Sequence, residues 1–279
     1  MKSKIIQIAK ENKISDIGFC LMEDYFKRER EQRGVFSKNT PLNFEPKTAI
    51  VFAFGYYVNH KPGNVSRYAW GKDYHVVAKE KMKPITELLQ REGWQAESYA
   101  DVGSLNERLL AKLSGLAFIG RNQMAISNRL GSYFFIGYIL TDCQIEPDCE
   151  NTQECLGCGK CMDVCPLGAI SDEGFSQERC LSYITQKKGD LTAAEVEALA
   201  NNGMVWGCDN CQSVCPHNEN VEETEIDEFK NNLITNLQIE DMSNKEFARM
   251  FGQRAFAWRG KGVLLRNQKC IYNRKEKLF

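Results

Sequence analysis

Eight of the twelve cysteines fall into two linked sets, and no other feature limits the fold of this chain as strongly. The first set is Cys155-x2-Cys158-x2-Cys161-x3-Cys165-Pro166. The second is Cys180, a gap, then Cys208-x2-Cys211-x3-Cys215-Pro216. Three close thiolates followed by a fourth ahead of a proline is the bacterial two-cluster spacing, in which the fourth cysteine of each run reaches across to the other cubane. That rule assigns Cys155, Cys158, Cys161 and Cys215 to one 4Fe–4S cluster. It assigns Cys180, Cys208, Cys211 and Cys165 to the other. Two clusters this close pass electrons one at a time, and iron and sulfide replace part of the apolar core around them.

The rival readings of these cysteines are weaker. Zinc also takes Cys-x2-Cys pairs, but gives no reason for a proline after each fourth cysteine. Disulfides need an oxidising compartment. The N-terminal MKSKIIQIAKENK is charged and amphipathic, without the apolar h-region of a secretory signal, so a cytoplasmic chain is expected. No apolar run approaches the length of a membrane span. Cys20 and Cys270 sit in apolar company and read as small buried hydrophobes. Cys143 and Cys149 precede the first run at a spacing that matches no site.

The rest of the chain supplies the setting. Its 279 residues allow one large or two ordinary domains. Periodicity predicts a helix over about 3–12, strands at Ile14–Phe19, Ala49–Val58, Trp94–Ala100 and Ser132–Thr141, and a helix over Asp73–Gln90 with an irregularity before Pro84. Ser104-Leu105-Asn106-Glu107 has the form of a capping box opening a helix to about Leu113. Thr192–Asn201 reads as a helix inserted between Cys180 and Cys208, and further helices begin near Met242 and Gly260. Three regions are expected: an α/β (α+β) domain over 1–145, a small bacterial-ferredoxin-like two-cluster domain over 146–218, and an acidic linker with a basic helical segment over 219–279. From Glu219 to Phe229 there are six acids and no base, and from Lys245 to Phe279 ten Lys or Arg and two Glu. The basic tail suits a polyanion, although a solvated helix face is the commoner meaning of such a run.

Further motifs, in order, carry a resemblance. Arg67-Tyr68-Ala69-Trp70-Gly71-Lys72-Asp73-Tyr74-His75, Asp101-Val102-Gly103 with Glu107-Arg108, Gly120-Arg121-Asn122 and Gly131-Ser132-Tyr133-Phe134-Phe135 lie before the cysteines. Cys180-Leu181-Ser182-Tyr183-Ile184-Thr185 and Gly207-Cys208-Asp209-Asn210-Cys211-Gln212-Ser213-Val214-Cys215-Pro216 lie among them, and Gly262-Val263-Leu264-Leu265-Arg266-Asn267 follows. Together they resemble the epoxyqueuosine reductases, cobalamin- and iron–sulfur-dependent enzymes of tRNA modification. Two departures stand out. Ser104 occupies the place of the family's proline after the DTG element, and the chain ends at Phe279 without the helical repeats that follow in better-known members.

The resemblance implies a cobalamin-binding, catalytic N-terminal domain, with the cofactor's lower face toward the two-cluster domain. Electrons would pass through the two 4Fe–4S clusters to cobalamin, and epoxyqueuosine in tRNA would be reduced to queuosine. The leaving oxygen needs a proton. Asp101 is the candidate acid, provided burial holds its pKa up; a turn or capping aspartate is the alternative. The implied corrin contacts are Arg67, Tyr68, Asp101, Ala125, Ile136, Ser182 and Asp209. Glu107 reads as the capping-box acid, Arg108 as a helix-surface or phosphate-facing cation, and His75 as structural rather than a cobalt ligand. Arg254, Arg259, Lys261 and Arg266 would meet tRNA phosphates, and the anticodon loop offers an unpaired base. An external one-electron donor such as flavodoxin or ferredoxin, no membrane and a monomeric state complete the expectation. Two other readings stay open: a cobalamin and iron–sulfur reductase of a small molecule, for instance by reductive dehalogenation, and a non-catalytic electron-transfer or cobalamin-handling protein.

Overall fold

Every residue of the run Thr48–Gly55 is buried, so this strand, β2, must be covered on both faces. It pairs antiparallel with β1 (Asp16–Leu21) on one side and with β6 (Phe134–Thr141) on the other; β6 in turn pairs antiparallel with β3 (Ala96–Tyr99). The computed structural model describes residues 1–31, 43–239 and 242–276. Contacts divide the chain into two compact units: 1–56 with 74–156 and 221–227, and 57–73 with 157–220 and 228–279. Both units are assembled from separated segments, and these differ from the expected boundaries at 145 and 218.

In the first unit, alternation along β2 sorts its two faces. Ala49, Val51 and Ala53 join a core with Cys20, Tyr25, Leu109, Leu110, Leu113 and Tyr138. That core lies under α2 (Met22–Glu31) and α4 (Glu107–Leu113). On the other face α3 (Tyr74–Arg91) packs on β3 and β6, with α1 (Lys2–Glu11) beside it. The mixed α/β expectation holds in its α+β form, because the four-stranded sheet is antiparallel throughout. A two-stranded β4 (Phe118–Ile119) and β5 (Ala125–Ile126) follows α4.

Several local expectations shift for physical reasons. β1 starts at Asp16 instead of Ile14, because Lys13 is left-handed at φ 57° and Ile14 donates its N–H back to Ala9 at the end of α1. α3 runs through Pro84 as one helix. The helix α2 has no counterpart in the expected elements. The proposed capping box at Ser104 does not form. α4 is capped by Asn106, whose side chain accepts the Leu109 N–H at 3.2 Å, and Glu107 is therefore the first helical residue. The acidic stretch is a strap more than a linker. Within the first unit Thr224 donates to Gly55 O at 2.5 Å, Glu222 pairs with Arg129 at 2.5 Å, and Asp227 pairs with Lys13 at 2.7 Å.

The second unit contains short helices and a β7–β8 hairpin (Ile170–Ser171, Gly174–Phe175). Its helices are α5 (Lys160–Asp163), α6 (Leu181–Gln186), α7 (Ala193–Asn202) and α8 (Asn210–Ser213). After α9 (Asp227–Lys230), which straddles the boundary, come α10 (Asn244–Phe251) and α11 (Lys261–Glu276). α7 carries the capping box that Ser104 does not: Thr192 accepts the Glu195 N–H while Glu195 accepts that of Thr192. α11 packs on α6 and α7. Its Asn267 is fully buried and donates to Thr185 O at 2.7 Å and Val205 O at 2.9 Å. The tail cations are partly structural. Arg266 donates to Lys187 O and Gly189 O, both at 2.7 Å, and Arg254 to Trp70 O at 2.8 Å and Asn232 O at 2.7 Å. Lys261 donates to Met242 O, and the Arg259 guanidinium lies 3.7 Å from the Trp258 ring centroid. Among the described residues no helix is long and apolar enough to cross a membrane.

The buried Asn267 amide makes a defined contribution. Asn267→Ala leaves two buried carbonyls without their donor and should cost about 2–4 kcal/mol, read from denaturant unfolding of the anaerobically purified chain. A loss under about 0.5 kcal/mol would mean that water replaces the amide freely.

Candidate functional site

Just past β3 the backbone turns left-handed at Asp101, φ 61°. A non-glycine residue there costs on the order of 1–3 kcal/mol unless its surroundings fix it. Three groups do so. Glu107 Oε1 accepts the Asp101 N–H at 2.7 Å, the Tyr74 hydroxyl donates to Asp101 Oδ2 at 2.5 Å, and His75 Nε2 lies 3.2 Å from the same oxygen. Tyr74 and His75 open α3 and are themselves held by stacking. The Tyr74 ring lies parallel to Phe135 with centroids 4.1 Å apart, His75 stacks on Tyr74 at 4.0 Å, and Phe135 meets Tyr56 at 4.5 Å. The far end of the loop is fixed by Tyr25, whose hydroxyl accepts the Asn106 N–H at 2.8 Å. Between these anchors Gly103 passes so close to the Tyr138 hydroxyl that any Cβ would collide with it. The Asp101 side chain nevertheless remains 57% exposed, so a tightly held carboxylate faces outward.

The charges are distributed unexpectedly. His75 chiefly, with Tyr74 assisting against partial burial, holds the Asp101 carboxyl below its ordinary value. Glu107 behaves oppositely: burial first, then the neighbouring Asp101 charge, push its carboxyl up to about 8. Burial was expected to raise Asp101; hydrogen bonding outweighs it there, and the raised acid is Glu107. That carboxyl is not a cap, because Asn106 has taken the capping position and Glu107 turns back toward Asp101. Sequence reasoning missed this, although Asp101 and Glu107 stand six apart across a glycine-containing turn. Arg108 is not a free cation either: it donates to Gln123 O at 2.7 Å and braces the left-handed Gln123 (φ 62°). His75 is engaged with the Asp101 carboxylate.

The proposed corrin contacts are distributed over both units. Asp101, Ala125 on β5 and Ile136 on β6 belong to the first. Arg67, Tyr68, Ser182 and Asp209 belong to the second. There Asp209 accepts from the Ser66 hydroxyl with one oxygen and from the Arg67 N–H at 2.9 Å with the other, while burial raises its pKa. The Arg67 guanidinium donates to Val58 O at 3.0 Å and lies over Tyr57 and Trp70, at 5.3 and 4.7 Å. Gln186 Nε2 approaches the Tyr68 hydroxyl at 3.4 Å. Gly207 has φ 73°, and a Cβ there would strike Ser66, so the segment leading into Cys208 needs glycine. Small, aromatic and hydrogen-bonding groups of this kind suit a corrin with its fringe of amides, and none is a histidine.

The cysteine runs take matching local forms. α5 and α8 pack together, each carrying a cysteine of the two runs at its second residue, Cys161 and Cys211. Each then turns into Cys165 or Cys215 through a hydrogen bond from that cysteine's N–H, to Met162 O at 3.1 Å and Gln212 O at 3.2 Å. Cys165 Sγ accepts the Ala169 N–H at 3.1 Å. Burial raises the Cys208 and Cys211 thiols to about 12; charge on Cys180 and Cys165 adds to both, and Cys208 and Cys161 add to Cys211. These thiols are within electrostatic reach of one another, and ligation by iron would ionise them. Cys155 is assigned to the first unit, and Cys158 is exposed. Among the described residues no three His, Cys, Asp or Glu side chains converge on a single ion. A cubane, which distributes its thiolates around a cluster, does not require that.

Residues 154–218 match the family described as "4Fe-4S double cluster binding domain", so the cysteine region is a two-cluster domain. Residues 40–102 match "Epoxyqueuosine reductase QueG, DUF1730". An epoxyqueuosine reductase of Lactococcus garvieae is 31% identical over 96% of this chain and 85% of its own length. A crystal structure of an epoxyqueuosine reductase with an epoxyqueuosine-modified tRNA-Tyr stem loop aligns with TM-score 0.83 and 27% identity, covering 97% of this chain and 80% of that one. The Bacillus subtilis enzyme, solved with its catalytic aspartate loop swung out of the active site, aligns at TM-score 0.76 and 26% identity with the same coverage. The likeness thus extends from the tethered Asp101 loop through the cysteine runs to the final helix, and the chain belongs to the epoxyqueuosine reductase family.

Proposed function

We propose that this chain reduces epoxyqueuosine to queuosine in tRNA, with Asp101 delivering a proton to the leaving oxygen. The observation that carries the reading is the Asp101 carboxylate itself: exposed, yet fixed at its backbone and at one oxygen, in a chain that also holds a two-cluster domain. Cys155, Cys158, Cys161 and Cys215 would hold one 4Fe–4S cluster, and Cys180, Cys208, Cys211 and Cys165 the other. Arg67, Tyr68, Asp101, Ala125, Ile136, Ser182 and Asp209 would line the cobalamin site. When bound, cobalamin supplies the strongly reducing cobalt centre, fed singly by the clusters from an external donor of flavodoxin or ferredoxin type.

The chain's own residues account for the remaining chemistry. Removing the epoxide oxygen breaks two C–O bonds, forms a C=C bond, and consumes two electrons and two protons to release water. One oxygen of Asp101 binds Tyr74 and His75, and the other would address the leaving oxygen. A relative captured with its catalytic aspartate loop displaced supports a loop that can open. In this chain the corresponding motion would break the Asp101–Glu107 and Tyr25–Asn106 hydrogen bonds. Ser182 and Asp209, each beside a cluster cysteine, would order the cluster side of the cofactor site, Asp209 through Ser66 and Arg67. The relative crystallised on a modified stem loop supports tRNA as the carrier of the substrate.

Three outcomes are expected. Asp101→Asn should lower queuosine formation by about 10²–10⁴-fold, measured by nucleoside mass spectrometry with reduced donor, cobalamin and epoxyqueuosine-tRNA, while iron content stays unchanged; full turnover would remove Asp101 from the acid role. Cys165→Ala and Cys180→Ala should each reduce iron from about eight to about four per chain and leave the same residual paramagnetic spectrum. A Cys165→Ala spectrum matching Cys155→Ala would overturn the crosswise assignment. Arg266→Ala should weaken folding by roughly 2–3 kcal/mol through the lost carbonyl contacts. The slope of log affinity against log salt for tRNA should stay unchanged, whereas a true phosphate contact would reduce it by about 0.9.

A further inference from the structure

We propose that Trp258 is a stacking platform for an unpaired base of the bound tRNA, with Arg259 backing the ring and meeting the neighbouring phosphate. The inference rests on the tRNA reading above and deepens it. Residues Ala255–Arg259 form a tight helical turn between α10 and α11 that buries Ala255 and Phe256 and leaves Trp258 61% exposed. The Arg259 guanidinium carbon lies over the indole, 3.7 Å from its centroid. One ring face is therefore covered, and the exposure belongs to the other. The same pairing of residue types occurs in the interior, where Arg67 lies over the buried Trp70. There it is packing; at Trp258 the second face is left to solvent.

The surroundings are basic. Residues 242–262 hold five Lys or Arg and one Glu, and that Glu246 is occupied in the capping box of α10. Arg254 is committed to two carbonyls and Lys261 to Met242 O. Arg259 has no carboxylate partner among the described residues, and its buried Nε has no hydrogen-bond partner. Lys245 and Arg249 are exposed on α10, which the Phe251–Phe256 ring contact at 5.7 Å fixes against the turn. The uncommitted charge thus lies on the turn and on the helix packed against it.

A flat apolar ring backed by a cation, among further cations, suits a ligand with a flat π-face and a nearby negative charge. An unpaired nucleotide has both: its base stacks on the indole, and its phosphate takes the cation. A guanidinium stacked on a ring keeps its in-plane N–H donors for that phosphate. A paired duplex hides its base faces, so the platform favours loop RNA over stem. Every base offers a π-face, so Trp258 supplies affinity and placement without reading sequence. A protein partner fits less well, because a single indole with Met250 among exposed cations lacks the broad apolar centre of a protein interface.

Binding measured on the anaerobic holoenzyme tests this, with an anticodon stem loop of tRNA-Tyr and a fully paired RNA duplex of equal length as probes. Trp258→Ala should weaken stem-loop binding by about fivefold or more and leave duplex binding unchanged, and Trp258→Phe should recover most of the loss. A fluorescent purine analogue in the loop should be quenched by the wild-type chain and not by saturating Trp258→Ala. Arg259→Gln should lower the slope of log affinity against log salt by about 0.7–0.9, whereas Trp258→Ala keeps the wild-type slope. Iron content and unfolding midpoint verify that the variants are folded. Wild-type stem-loop affinity in Trp258→Ala, or an equal loss for the duplex, would overturn the platform. Loss of binding to anionic phospholipid vesicles, or of self-association, in a Trp258→Ala variant that still binds the stem loop would overturn it in favour of a membrane or a second copy. An unchanged slope in Arg259→Gln would strike the phosphate contact. A chain that stacks loop bases through Trp258 yet forms no queuosine would support the platform and sink the reductase reading.

Discussion

The bond from the Asp101 amide to Glu107 is one contact, yet most of the first unit is arranged to make it possible. Asp101 must be left-handed for its amide to turn toward α4, and α4 must start at Glu107 for the carboxyl to be there. That start is set by Asn106 as cap, and Asn106 is in turn held by Tyr25 from α2. The other side of the carboxylate depends on Tyr74, which depends on Phe135 in β6 and on the first turn of α3. Four elements from distant parts of the sequence therefore converge on a loop of a few residues. This is the usual way in which backbone strain persists at a functional site: rigid neighbours over-determine it.

The legible parts of the sequence were those with short-range rules. The cysteine spacing gave the two-cluster domain, apolar runs gave β2 and β6, and the stretch Thr192–Asn201 gave α7. The failures share a cause. Ser104 satisfies the capping pattern, but Asn106 wins because tertiary contacts place the helix start two residues later. α2 was invisible because only Met22 and Tyr25 of its ten residues are buried, too few for a periodic signal. Asp101 was identifiable as a candidate acid, but the sign of its pKa shift was not. That sign depends on His75 and Tyr74, twenty-odd residues upstream, pointing at the same oxygen. Arg254 and Arg266 read as polyanion contacts, and the carbonyls they bind, on residues far away in sequence, were not legible.

Asp209 illustrates how the second unit divides labour between chemistry and support. It stands next to Cys208, yet both of its oxygens bind the 66–67 segment. Glycine at 207 is needed for that segment to come so close. Asp209 thus acts on the backbone of the 66–67 segment, and a change there would be felt first as altered geometry.

The acidic strap has a consequence for how the chain is made. By the contact division the chain crosses between its two units five times, and residues 221–227 complete the first unit only after the whole cysteine region has been synthesised. On the ribosome the N-terminal half cannot bury Thr224 and Ile226 against its sheet until Cys215 has emerged. Completion of the first unit therefore follows synthesis of the cysteine region in time. A truncated gene product ending before the strap would lack part of both halves.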